Sequence, residues 1–490
     1  MPLTLDGKGS LHQQVYRALR GEILTRGLAP GARLPSTRAL SVDLGVSRNV
    51  VMLAYEQLLG EGYALARTGS GTTVAPVLPE DFAAAPSAEP LRGARALRTT
   101  PRLSLGGARA VAIARGMPVS WEIRAAQPQY DFRFGRPAFG DFPHAVWCRI
   151  LGRRARSASR RDLDYGPPEG RLELREALAD RLRRYRGIVT TPRQIVVTNG
   201  SQQALDLVAR VLLDPGDRVL IEEPHYLGAR WVFAAAGAEL VPARVDEDGM
   251  RVPAPGPARE APRLAYVTPS HQFPTGVVLP LARRLELLGW AARTGAFVVE
   301  DDYDSEYRYA GRRLQALAGL DATGRVVYVG TFSKLMFPAL RLGYLVLPEP
   351  LVEPIVAAKA LADTGTSALE QLALADFIRD GHFERHVSRS RVTNAARREA
   401  LLDAVRAHFG DRAEVCGAAT GLHVLVWVRG RDGRPIRGMA RRAEAAGVAV
   451  YSVAPYYLRP PRRSGVLLGY GPLGERQIRE GIARLAAALM

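Results

Sequence analysis

The chain has 490 residues, 47% of them hydrophobic, and 67 basic against 49 acidic side chains give a net charge of +18 that invites a polyanionic partner. This length predicts two or three domains with proper cores, and no apolar run is long enough to span a bilayer. Two cysteines, Cys148 and Cys416, exclude a disulfide framework and are expected in the core, and with Met1–Lys8 lacking a signal-peptide pattern the expected setting is cytoplasmic.

The first predicted element is a helix, because Leu11, Val15, Leu19 and Ile23 recur every four residues. Gly27-Leu28-Ala29-Pro30-Gly31 ends it. Leu34-Pro35-Ser36-Thr37-Arg38 opens a second helix, with Ser36 or Thr37 as its cap. After a tight turn at Gly45, Ser47-Arg48-Asn49 begins a third helix through Val50, Leu53, Ala54 and Leu58. Two short helices about a glycine turn form a helix-turn-helix pattern, whose second helix would meet base edges. Tyr63 to Val74 then reads as a hairpin turning at Gly69 to Gly71. The runs Leu-Pro-Ser-Thr-Arg, Leu-Gly-Val-Ser-Arg, Glu-Gly-Tyr and Gly-Ser-Gly-Thr resemble the GntR-type winged helix, a mostly α domain placed here at residues 8–76. The resemblance implies double-stranded operator DNA as partner, contacted by Arg38, Ser47, Arg48 and Asn49, with Gly69 in the wing.

Residues 77–128 lose sustained periodicity and are rich in proline, alanine and arginine. They read as a partly disordered tether with a short helix at Ala108 to Ala114, long enough to let the head cross onto a partner subunit.

A new ordered region, residues 129–490, begins near Asp131-Phe132-Arg133-Phe134-Gly135. Strands and helices alternate over Gln194–Thr198, Gln202–Leu213, Arg218–Glu222, Leu227–Ala236 and Glu239–Pro242, the rhythm of an α/β domain with a mostly parallel sheet. Within it, Val196 to Ala204 reads as strand, tight turn and helix start, with Ser201 and Gln202 at an anion-binding helix N-terminus. Val298-Val299-Glu300-Asp301-Asp302-Tyr303 reads as a buried strand ending in carboxylates.

Lysine is scarce: it stands only at Lys8, Lys334 and Lys359. Arginine cannot replace lysine where an amine must lose its proton and form an imine. Lys334 lies beside the hydroxyls of Thr331 and Ser333 and seven residues before Arg341, whose planar fork suits a phosphate. Lysine, carboxylate, phosphate arginine and helix N-terminus together describe a pyridoxal 5′-phosphate pocket. Residues 351–410 are helical and Gly421 to Val428 is a strand, which suits a smaller carboxy-terminal α+β part from 351 to 490 beside a large part from 129 to 350.

Thr-Phe-Ser-Lys followed by Arg341 resembles the Schiff-base motif of fold-type-I aminotransferases. Pro269 to Gly276 and Glu300 to Tyr307 resemble the MocR subfamily of GntR regulators. This resemblance implies a homodimer in which Tyr165 reaches the cofactor phosphate of the neighbouring subunit. It also implies that Tyr226 stacks on the pyridine ring and that Asp301, with Asp302 as alternative, pairs with the ring nitrogen. The ring oxygen falls to Tyr303 or His271, because Phe273 stands where ordinary aminotransferases have asparagine. Two departures matter for function. Leu467 and Gly228 occupy the places where carboxylate-binding arginines are expected, with Arg230 or Arg462 as possible substitutes. The implied function is a pyridoxal-phosphate-dependent transcriptional regulator in which this domain senses the cofactor or an effector reacting with it, with a link to vitamin B6 metabolism. An active aminotransferase with an appended DNA-binding head is the alternative.

Overall fold

A computed structural model describes residues 3–67, 71–83, 102–117, 128–254, 257, 260–311, 314–436, 438–459 and 461–489. The chain divides into two compact units, Met1–Arg102 and Leu103–Met490.

The first unit holds α1 (Leu11–Leu24), α2 (Thr37–Asp43), α3 (Arg48–Gly60), the strands β1 (Ala64–Arg67) and β2 (Gly71–Val74), and a short α4 (Pro79–Ala83). Val15, Leu19 and Ile23 are fully buried against Leu40, Val51, Leu58 and Tyr63, whereas Leu11, in the first turn, is half exposed. Ser36 rather than Thr37 caps α2, accepting the Ala39 N–H at 3.1 Å. Ser47 caps α3 by accepting from Val50 N at 3.4 Å. The two strands pair antiparallel with Ala64 opposite Val74. Gly69 lies outside the described residues. Helix α4, not anticipated from periodicity, is tied in by Glu80, which accepts from Tyr63 Oη at 2.6 Å and from Arg20 at 2.8 Å.

In the second unit, α5 (Leu105–Arg115) extends the short helix expected in the tether. Ser104 caps it, and Arg109 Nε donates to Ala235 O at 3.1 Å. Then come β3 (Tyr130–Asp131), α6 (His144–Arg156), α7 (Arg160–Leu163), α8 (Leu172–Arg186), β4 (Ile195–Thr198), α9 (Ser201–Leu212), β5 (Arg218–Glu223) and α10 (Leu227–Ala236). The strands β6 (Glu239–Asp246), β7 (Gly249–Met250) and β8 (Leu264–Val267) lead to α11 (Leu281–Thr294), β9 (Phe297–Asp302), α12 (Leu317–Leu320), β10 (Val326–Thr331) and β11 (Gly343–Val346). These strands form one eight-stranded sheet in the order β4-β11-β10-β9-β8-β5-β6-β7. Its centre, from β10 to β6, is parallel, and β11 runs antiparallel to both neighbours. Helices cover both faces, so β8 and β10 are buried along their whole length and their residues read as apolar runs.

The remaining part carries α13 (Glu349–Asp363), α14 (Ala368–Arg379), the long α15 (His382–Phe409), β12 (Ala413–Cys416), β13 (His423–Val428), α16 (Met439–Ala445), β14 (Val448–Ala449), β15 (Tyr451–Ser452), β16 (Gly465–Gly469) and α17 (Glu475–Leu489). Here β12, β13, β16 and β15 make an antiparallel sheet, while β14 pairs with β3. Cys148 is exposed and Cys416 half-buried, so neither is a core residue. On α6 it is Trp147 and Ile150 that pack inward, which turns Cys148 to the outside. No helix among the described residues is long and apolar enough to cross a membrane.

Leu19 has no exposed surface. Truncating it leaves a cavity in a small core, so Leu19→Ala is expected to cost the first unit ~2–5 kcal/mol. Hydrogen exchange on the full chain should show α1 to α3 losing protection while β8 to β10 keep theirs.

Candidate functional site

A cavity of about 530 Å³ opens at the carboxyl ends of β8, β9 and β10, between the large sheet and the antiparallel one. Lys334 follows β10 and stands half-buried on the cavity wall. Its Nζ donates to Gly135 O at 2.9 Å. Removal from water lowers its pKa from the ordinary lysine range, against the pull of Asp304 and Asp301. An amine that gives up its proton more readily is a better nucleophile toward an aldehyde.

Strand alternation separates the two carboxylates at the end of β9. Asp301 faces the cavity: its Oδ2 accepts from Tyr266 Oη at 2.7 Å, and its Oδ1 is buried without a partner. Burial pushes the Asp301 carboxyl up to about 6. Asp302 points to the opposite face, where it accepts from Tyr328 Oη at 2.6 Å and pairs with Arg186 at 2.7 Å. Tyr303 lines the cavity as well; its hydroxyl donates to His271 O at 2.8 Å and lies 3.0 Å from His271 Nδ1. Asp304 holds the same ring nitrogen at 2.9 Å, so the two candidates for the ring oxygen are locked to each other.

At the other end of the cavity, Gly200 at φ +83° turns the chain into α9 and brings Ser201 and Gln202 to the wall. Arg341 lies against this turn, its Nη2 donating to Asn199 O at 2.8 Å. A Cβ at Gly200 would stand 3.0 Å from that guanidinium. Thr331 lines the same end, its hydroxyl donating to Ser333 Oγ at 3.2 Å. Tyr226 presents its ring to the cavity and meets Phe273 edge-on, with centroids 5.6 Å apart. Tyr165 is 89% exposed and is not among the residues lining the cavity of its own chain.

Both departures read from the sequence have a physical basis. A Cβ at Gly228 would lie 2.4 Å from the Tyr226 ring, so no side chain fits there while Tyr226 holds its place. Leu467 is fully buried in an apolar cluster with Leu425, Tyr451 and Tyr456. Neither Arg230 nor Arg462 lines the cavity; Arg133 and Arg136 do. Those two arginines were missed because nothing local distinguishes them among so many. Tyr266, Tyr451, Tyr456, Thr268 and His423 were missed because only strand pairing brings them here.

The donor set fits pyridoxal 5′-phosphate. A buried carboxylate oxygen with no partner suits a protonated ring nitrogen, and a helix N-terminus beside an arginine suits a phosphate. On the first unit, Arg38 on α2 and Ser47, Arg48 and Asn49 at the start of α3 are all exposed. Arg48 Nε donates to Thr37 Oγ1 at 3.3 Å, tying α3 to α2.

The Asp301 carboxyl gives a pH test in cofactor-free protein. Its folded pKa of about 6 lies above the ordinary 3.8, so the folded state binds the proton more tightly. Its contribution is therefore favourable below about pH 4 and is lost as pH rises through about 6. Glu222, pushed up to about 7 by burial, adds a loss in the same direction. Asp301→Asn should remove only the first part, gaining on the order of 3 kcal/mol relative to wild type between about pH 4 and 7 in urea melts. Equal slopes for the two proteins would contradict it.

Residues 138–446 match the aminotransferase class I and II family, and residues 11–74 match the bacterial regulatory proteins of the gntR family. The probable rhizopine catabolism regulatory protein MocR of Rhizobium meliloti is 38% identical, over 100% of this chain and 95% of that protein. The HTH-type pyridoxine biosynthesis transcriptional regulator PdxR of Corynebacterium glutamicum is 31% identical, over 98% of this chain and 95% of its own. Among solved structures, the α-aminoadipate aminotransferase LysN of Thermus thermophilus, complexed with N-(5′-phosphopyridoxyl)-L-leucine, is similar with a TM-score of 0.69 and 30% identity, over 79% of this chain and 97% of that one. With a gntR head, an aminotransferase-like body and end-to-end similarity to MocR, the chain belongs to the MocR subfamily of GntR regulators.

Proposed function

We propose that the protein is a sequence-specific transcriptional regulator acting in the cytoplasm, whose aminotransferase-like unit responds to pyridoxal 5′-phosphate or to an effector that reacts with it. Arg38, Ser47, Arg48 and Asn49, with Gly69 in the wing, contact operator DNA; phosphate contacts position the head and the groove contacts specify sequence. The observation that carries the reading is a contrast within one cavity. Lys334, Asp301 and Arg341 line one cavity as the cofactor reading requires, while Gly228 and Leu467 are closed to the arginines that would fix a substrate carboxylate. Similarity to PdxR adds a link to vitamin B6 metabolism.

Pyridoxal phosphate supplies an aldehyde that an amine can capture and a ring that draws electrons when its nitrogen is protonated. Lys334 offers that amine, with a pKa already lowered by burial. Asp301 would hold a negative charge toward the ring nitrogen, Tyr226 would cover the ring, and Tyr303, held by His271, which Asp304 holds in turn, would meet the ring oxygen. Arg341, Ser201, Gln202 and Thr331 hold the phosphate. Tyr165 completes it from the partner subunit in a homodimer, which accounts for an exposed tyrosine just after α7. Lys334 Nζ donates to Gly135 O, so the amine that would meet the aldehyde is held by the segment that follows β3. Effector binding then biases the placement of the two heads as a shift between states.

Two experiments test this reading. Footprinting of the adjacent intergenic region should show a protected site whose pattern changes with pyridoxal phosphate in wild type but not in Lys334→Ala, which should also lack the visible absorbance of bound aldehyde. Sustained ketoacid formation from common amino donors would instead favour the aminotransferase reading. Arg48→Ala should weaken operator binding by roughly 1–3 kcal/mol if it reads a base, in gel-shift titrations at fixed salt. An equal loss on unrelated DNA would make it a phosphate contact.

A further inference from the structure

Lysine stands at three positions in this chain, and one of them, Lys359 on α13, has no exposed surface. Its amine donates to both oxygens of Asp363, one helical turn on, at 2.8 Å each, and to Thr366 Oγ1 at 3.1 Å. All three N–H donors are matched. The planar five-donor fork of arginine does not fit so compact a buried site, which gives a reason for lysine in a chain that otherwise uses arginine.

Asp363 does more than balance the charge of Lys359. Its Oδ2 also accepts from Gln203 Nε2 at 2.6 Å and from Asn199 Nδ2 at 3.1 Å, and its Oδ1 accepts from Gly365 N at 3.1 Å. Gln203 in turn accepts the Asn199 N–H at 2.8 Å, and Asn199 O accepts from Arg341 at 2.8 Å. The backbone N–H, the carbonyl and the side-chain amide of Asn199 are thus all engaged. Asn199 leads into Gly200, whose φ of +83° turns the chain so that Ser201 and Gln202 reach the cavity wall. Neither Lys359 nor Asp363 is among the residues lining that cavity.

A largely buried carboxylate bonded to a turn that receives a phosphate is unfavourable by itself, because it lacks solvation and repels the ligand. Lys359 cancels the charge of Asp363 and leaves its oxygens free to hold Asn199 and Gln203. We infer that Lys359 is a positioning residue for the phosphate end: its buried pair with Asp363 sets the Asn199–Gly200 turn, and with it the start of α9 and the seat of Arg341, in the arrangement a phosphate monoester requires. The inference deepens the proposed cofactor reading and rests on it. In this scheme Lys359 touches neither the aldehyde nor the phosphate.

The full chain is titrated with pyridoxal 5′-phosphate and with pyridoxal, which has the same ring and aldehyde but no phosphate, following the visible band. In Lys359→Met the affinity for pyridoxal 5′-phosphate is expected to fall roughly tenfold to a hundredfold, while that for pyridoxal changes less than about threefold. Gln203→Met leaves the buried pair intact and cuts its link to the turn. It should show the same selective loss, and it carries the test even where Lys359→Met does not fold. Equal losses for both aldehydes, which a general packing defect would give, overturn the inference, as does an unchanged preference for the phosphate form in either folded variant. If wild type acquires no visible band with either aldehyde, the cofactor reading fails and inorganic phosphate decides. Thermal stabilisation of wild type by phosphate that either variant abolishes keeps the inference; stabilisation that is absent from wild type, or survives in the variants, overturns it.

Discussion

The cavity is built around one buried carboxylate that the fold leaves half satisfied. Five acidic side chains cluster at the carboxyl ends of the central strands: Glu222, Glu300, Asp301, Asp302 and Asp304, all buried. Burying such charges is costly unless each finds partners. Glu300 accepts the Leu317 and Ala318 N–H groups at 3.0 and 2.9 Å; Glu222 accepts from Thr268 Oγ1 at 2.7 Å; Asp302 has Arg186 and Asp304 has His271. Of the five, only Asp301 combines an unpartnered oxygen with a place on the cavity wall. A cationic ring nitrogen is the complement that removes this cost. Lys334 and Arg341, each packed against a different turn, mark the distance over which such a ligand must reach.

The same economy explains what the wall excludes. Leu467 pairs across the sheet with Leu425 on one side and Tyr451 on the other. All three belong to one aromatic cluster, so an arginine at position 467 would bury a charge among apolar side chains. Tyr226 closes position 228 by contact rather than by polarity. Besides Arg341 at the phosphate end, the arginines that line this cavity, Arg133 and Arg136, both belong to the segment after β3.

Much of this was legible in the residues alone, for reasons that can be named. Period-four leucine, valine and isoleucine placed α1, and serines just ahead of helical runs placed the starts of α2 and α3, because both signals are local. The Lys334 motif stood out because lysine is nearly absent elsewhere. Local signals could not choose between Asp301 and Asp302. Alternation has a period but no phase until one face of the strand is assigned, and the partners Tyr266 on β8 and Tyr328 on β10 assign it. Helix α5 was cut short, and its anchor, Arg109 on Ala235, joins residues 126 apart, beyond the reach of any periodicity. Cys148 and Cys416 were placed in the core on the strength of residue type, and the fold leaves the first exposed and the second half-buried.

On the first unit, one residue serves two purposes without conflict. Ser47 accepts the Val50 N–H as a cap, and this uses a lone pair of the hydroxyl rather than its proton. The O–H stays available to donate, so under the proposed reading the group that starts α3 would also offer a DNA phosphate contact where that helix would meet the groove. Arg48, adjacent and exposed, is restrained by Thr37 of α2 at 3.3 Å, which limits the rotamers it loses on binding. A change in affinity on this face can therefore come from moving the helix pair as a rigid element. That is the kind of two-position device that an event at Lys334 can bias only if its ligand binds the two placements unequally.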